Sequence, residues 1–167
     1  TINTAALHEE PGNHWHSVDP GDIELGSWGG TLLKFLTNRY TWANLSSETN
    51  CLNILKTAIK ASSKSRMPMR TVLLTLVWPE VEQLAKHNAY PHTNVYCLAT
   101  ITLEDGALQD QLPHLTTHTK YPSAIIRVYV VENKSAANYS NDNLSTQLGR
   151  LDRVTSIDYH GPPKHFM

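Results

Sequence analysis

The sequence predicts an α/β fold: an open sheet, mainly parallel, with an antiparallel pair of strands at one edge. Three observations lead there. Residues Tyr40 to Val77 read as a short strand, a polar turn, an amphipathic helix, a basic loop and an apolar strand. That succession makes a right-handed βαβ crossover, the unit of a parallel sheet. Thr71 to Val77 carries Val72, Leu73, Leu74, Leu76 and Val77 with almost no alternation, as a strand covered on both faces does. Later in the chain, Val95–Leu103 and Ala124–Val131 have strand composition, and they are the candidates for the antiparallel pair.

The elements follow in order. Residues 1–27 are broken into turns by Pro11-Gly12, Asp19-Pro20-Gly21 and Gly26. From Trp28 to Asn38 the pattern is helical, with Trp28, Leu32, Phe35 and Leu36 at helix spacing. Tyr40 to Ala43 is a short aromatic strand. Ser46 or Ser47 then caps a helix, and Glu48 stands near its positive end. Leu52, Leu55 and Ile59 form its apolar stripe, and Lys56, Lys60 and Lys64 follow at four-residue intervals on another face. Pro68 discourages helical geometry at Met67. Trp78-Pro79 stops the apolar strand, and Pro79 opens a short helix, Glu80 to His87. In Val95 to Leu103, Val95, Cys97, Ala99 and Ile101 alternate with Tyr96, Leu98, Thr100 and Thr102. After Glu132 the run AANYSNDNLSTQ has few core-forming side chains, and Leu144 to Leu151 forms at most a weak helix. The resulting division is an irregular segment 1–27, an α/β core domain 28–131 in a partial Rossmann-like layer, and a polar extension 132–167.

Bulk properties exclude several classes. A hydrophobic share of 40% with 17% charged residues fits a globular chain. Fourteen Lys plus Arg against 15 Asp plus Glu leaves no global field to draw nucleic acid or membrane. The charge is uneven locally: Lys56, Lys60, Lys64, Arg66 and Arg70 share one segment with no acidic residue between Glu48 and Glu80. That segment is either a solvated face or a phosphate-facing patch. Cys51 and Cys97 lack metal-ligand spacing and read as reduced thiols, which with no visible signal peptide gives an intracellular expectation, cytoplasmic or nuclear. No run approaches a membrane span. The chain begins at Thr1, which raises the expectation of a piece of something longer.

In parallel sheets, ligands sit where strands end and helices begin. The turn Asn44-Leu45-Ser46-Ser47 occupies that place. Helix N–H groups, two hydroxyls and the Asn44 amide would converge there, and Trp42 and Trp78 would flank a planar ligand at the ends of adjacent strands. Trp42, Asn44, Ser46, Ser47 and Trp78 are thus the candidate substrate-binding residues, with Lys56, Lys60, Lys64 and Arg66 as candidate phosphate contacts. An ordinary helix cap and buried anchoring tryptophans are the competing structural roles.

Strand, Asn, helix, an apolar strand ending near Trp-Pro, a short helix and two closing strands resemble the C-terminal half of class I N6-adenine methyltransferases. The nearest types are the phage adenine methyltransferases and the cap-adenosine methyltransferases. Their catalytic turn is Asn-Pro-Pro-aromatic; this chain has Thr41-Trp42-Ala43-Asn44-Leu45-Ser46-Ser47. The resemblance implies that Asn44 stands where that family holds the adenine amino group. Both prolines and the stacking aromatic are missing, as is a Gly-rich loop after an early strand. It therefore implies a degenerate, incomplete or inactive methyltransferase-like domain. S-adenosylmethionine would enter only if a missing N-terminal half or a partner supplied its site. The implied partners are RNA or single-stranded DNA, together with a protein partner or the rest of a larger polypeptide. A structural or interaction module with no small-molecule site is the alternative. A third reading is a metal-dependent enzyme using His8, His14 and His16 with Glu9, Glu10 and Asp19, although no second ligand pair accompanies the histidines.

Overall fold

The computed structural model describes residues 40–43, 45, 47–87, 90–111, 125–136 and 141–161. The elements are β1 (Tyr40–Ala43), α1 (Glu48–Lys64), β2 (Arg70–Leu76), α2 (Pro79–Lys86), β3 (Thr93–Leu103), α3 (Ala107–Gln111), β4 (Ile125–Asn133), a 3-10 turn (Lys134–Ala136), α4 (Asp142–Leu148) and β5 (Val154–Tyr159). The helix expected before Tyr40 and the N-terminal histidines lie outside the described residues.

The crossover is present. β1 and β2 are adjacent and parallel, from Tyr40 opposite Arg70 to Ala43 opposite Leu73. Ser47 caps α1, its Oγ accepting the Asn50 N–H at 3.3 Å. Cys51, Leu55, Ala58, Ile59 and Ser62 bury one helix face at the 3.6-residue period. The helix stops at Ser65, where extended backbone and Pro68 turn the chain into β2.

The expectation of a mainly parallel, Rossmann-like sheet is overturned. The strand order is β1-β2-β4-β3-β5, and β4 runs antiparallel to both β2 and β3, as β5 does to β3. Among the described strands, only the β1–β2 pairing is parallel. The physical reason lies in what an apolar run reports. β2 is buried along its whole length. Burial on both faces is common to any central strand, and it says nothing about the direction of the neighbour. The antiparallel β4 does not close an edge; it occupies the middle, between β2 and β3.

The polar extension contributes to both the core and the sheet. Leu144, Leu148 and Leu151 join the same core as β2 and β4, and β5 extends the sheet. Few apolar side chains are present there, but Ala136, Leu144, Leu148 and Leu151 are all buried.

The sheet carries two differently used faces. Alternation along β4 puts Arg127, Tyr129, Val131 and Asn133 on one face, and Ile126, Val128, Val130 and Glu132 on the other. The first face meets the end of α1, where Asn133 Nδ2 donates to the Met67 carbonyl at 2.6 Å, and α2, where Arg127 pairs with Glu82. On the second face Arg70 and Glu132 form a buried ion pair, with Nη2–Oε2 at 2.7 Å and Nε–Oε2 at 3.0 Å. Arg70 Nη1 also donates to Asn141 Oδ1 at 3.0 Å, tying the approach to α4 to the sheet.

β3 contains a bulge. Cys97 pairs with Tyr129 but Ala99 pairs with Val128, so Leu98 is the extra residue. The simple alternation expected for this strand breaks there. Val95 and Cys97 lie on the Tyr129 face, Ala99 and Ile101 lie on the opposite one, and Thr100 turns back to join Arg127.

Candidate functional site

The predicted corner at the end of β1 is only partly described. Trp42 lies in β1, opposite Val72. Asn44 and Ser46 fall outside the described residues. Ser47 is exposed, and its hydroxyl is engaged as the α1 cap, which is the structural role weighed against ligand binding. Leu45 packs against the core, so the corner is covered from that side. Trp78 follows β2 and precedes α2 as expected. It is buried, and its Nε1 has no hydrogen-bond partner among the described residues. A buried indole N–H without an acceptor costs on the order of 1–3 kcal/mol, so this donor marks a place where an acceptor would be favoured.

The basic row is well defined. Lys56, Lys60, Lys64 and Arg66 are all exposed. Four-residue spacing on an α-helix advances about 6 Å per step and drifts slowly around the axis, so the three lysines make one ridge. Among the described residues, no carboxylate pairs with any of these four. Arg70, which the sequence groups with them, does something else: it is 1% exposed and neutralised by Glu132. The two groups differ because β2 enters the core at Arg70 while Arg66 is still in the loop.

Sequence reasoning missed a second cluster, on the α2 face of the sheet. A cleft of about 560 Å³ opens between α2 and strands β3 and β4, with His160 at its margin. Its polar groups form a chain. Arg127 Nε donates to Glu82 Oε1 at 2.9 Å, and Arg127 Nη1 donates to Thr100 Oγ1 at 2.7 Å. Thr100 Oγ1 lies 2.9 Å from His160 Nε2. Thr100 Oγ1 accepts from Arg127 and retains both its own proton and a second lone pair for His160, so it can pair with either neutral tautomer of the ring. The bulge at Leu98 makes this chain possible by turning Thr100 to the Arg127 side. Tyr129 and Cys97 complete the wall. Burial, and then the nearby Glu82 charge, raise the Tyr129 phenol above its ordinary range. Burial also raises the Cys97 thiol, which outweighs the opposing pull of Thr100 and Arg127 and leaves a poor nucleophile. One signal in the sequence pointed here: Arg127 is the only charge within Ile125–Val131, and a charge in such a strand needs a partner.

Across the sheet, Tyr96 is the counterpart of Tyr129. Its hydroxyl is buried beside the Glu132 carboxylate and the Asn141 amide. Burial first, and the Glu132 charge second, push the Tyr96 phenol above its ordinary range and disfavour its ionisation.

Among the described residues no three His, Cys, Asp or Glu side chains group to hold a metal. None of the described helices is long and apolar enough to cross a membrane. No protein-family model matches the chain, and searches of curated proteins and of solved structures find no significant match.

Proposed function

We propose that this chain is a methyltransferase-like domain without methyl-transfer activity, and that it binds the backbone of RNA or single-stranded DNA as part of a larger protein or complex. The observation that carries this reading is the ridge of Lys56, Lys60 and Lys64, continued by Arg66, exposed and free of described acidic partners. Cations in that arrangement suit phosphates, because each contact releases condensed counterions. The kinship with N6-adenine methyltransferases is supported by the parallel β1–α1–β2 crossover, the Trp78-Pro79 junction and the short helix after it. The absence of catalysis follows from chemistry. Leu45 stands where a proline would fix the backbone, it packs inward, and Ser47 is spent on the cap.

Filter binding of single-stranded RNA and DNA across salt tests the proposal. Three to four phosphate contacts on a single strand give a slope of log K against log salt of about −2 to −3. Replacing Lys56, Lys60 and Lys64 together with Gln flattens that slope. No binding to either nucleic acid at low salt removes the proposal. Calorimetry with S-adenosylmethionine is expected to give no binding heat.

The packing of Leu45 over the corner favours a second reading, a structural or interaction module with no small-molecule site. A defined oligomer in light scattering, with no response to nucleic acid, selects it.

A further inference from the structure

We propose that the cleft beside α2 is a binding site for a small organic anion, a carboxylate or phosphate ester carried on an apolar body. The inference is independent of the nucleic-acid reading, since none of Lys56, Lys60, Lys64 and Arg66 lines this cleft. Three observations carry it.

The first is size and lining. About 560 Å³ is the volume of an ordinary small-ligand site. Ala85, Val95, Cys97 and the Tyr129 ring offer apolar walls for the body of a ligand. The second is charge. Lys86 and Arg127 face Glu82 alone among the described charged groups of the lining, and His160 is the remaining titratable side chain there besides Cys97 and the tyrosines. With His160 neutral the site keeps one net positive charge, and with His160 protonated it keeps two. The third is unspent donors. Arg127 uses Nε on Glu82 and Nη1 on Thr100, while its Nη2 meets no acceptor among the described residues. The Lys86 ammonium is exposed and has no ion-pair partner among them either. Glu82 and Thr100 hold the guanidinium in place, so little side-chain entropy is lost when Nη2 engages an oxyanion.

The arrangement also predicts signs. Glu82 competes with a ligand for Arg127, so neutralising it while keeping an acceptor should tighten anion binding. Lys86 adds attraction at the rim, so removing it should weaken binding.

The test uses the full chain and amide NMR, titrating benzoate, phenyl phosphate and the neutral control benzyl alcohol. The expected result is saturable shifts at Ala85, Val95 and Cys97 with one of the anions, and none with the alcohol. The two anions distinguish a carboxylate head from a phosphate head. Lys86→Ala should weaken binding about threefold or more, and Glu82→Gln should strengthen it by a similar factor. A ligand that binds should also slow alkylation of Cys97. No saturable shift up to about 10 mM of either anion overturns the proposal. Equal response to benzyl alcohol also overturns it, as does weaker binding in Glu82→Gln. Lys56→Gln should leave the titration unchanged, which separates this site from the basic ridge.

Discussion

Breaking the Arg70–Glu132 pair is the sharpest perturbation this fold offers. The two side chains are 1% and 3% exposed, and one carboxylate oxygen accepts from both Nε and Nη2. With charge centres about 4 Å apart and an effective dielectric near 20, the attraction is roughly 4 kcal/mol, much of it spent offsetting the desolvation of both ions. Glu132→Ala leaves the guanidinium buried, with the Asn141 amide oxygen as its remaining named side-chain acceptor. The expected loss is about 3–5 kcal/mol, against a total stability on the order of 5–15. For a chain of this size that corresponds to a fall in Tm of roughly 6–20 °C. Urea unfolding at neutral pH, followed by far-UV circular dichroism, measures it. Glu132→Gln keeps an acceptor and should lose less, which gives a folded variant if the alanine fails to fold. The double substitution Arg70→Met with Glu132→Leu should recover most of the loss, because it removes both buried charges together. A loss under about 1 kcal/mol for Glu132→Ala refutes this account, as does a double variant worse than the sum of its single changes.

Two further outcomes are expected. Ser47→Ala should cost about 1 kcal/mol in urea unfolding by freeing the Asn50 N–H, yet leave nucleic-acid affinity unchanged, since the hydroxyl serves the helix and not a ligand. Tyr96 and Tyr129 both ionise above the ordinary tyrosine range in the folded chain, so their contribution to stability is full below about pH 10 and declines as pH rises beyond it, by up to about 1.4 kcal/mol per pH unit for each. Unfolding at about pH 9 and pH 11 should show the decline, and Tyr129→Phe should make it shallower; a stability independent of alkaline pH contradicts the assigned burial.

Local pattern made much of this fold legible. The α1 ridge of lysines, its apolar face and its cap at Ser47 were readable because helix period and capping chemistry depend on residues three or four apart. β2, β3 and β4 were located within about two residues, since apolar runs and alternation mark strands. The adjacency and parallel direction of β1 and β2 followed from the helical crossover between them. β5 escaped notice because its pattern is only half-buried, at Val154 and Ile157, in a segment dominated by polar residues. Trp78 was placed near the expected junction, but its unpartnered Nε1 depends on what surrounds it.

Sequence alone determined where β1, α1, β2, α2, β3 and β4 lie, to within about two residues, and which helix face carries the exposed cations. Only the tertiary structure decided that β4 inserts against the grain between β2 and β3, that Leu98 bulges out and turns Thr100, and that Arg70 finds Glu132 and Arg127 finds Glu82. Hydrophobic periodicity fixes how each residue faces its own backbone, whereas strand order and ion pairing are set by competition among contacts 45 to 62 residues apart, which no local window contains.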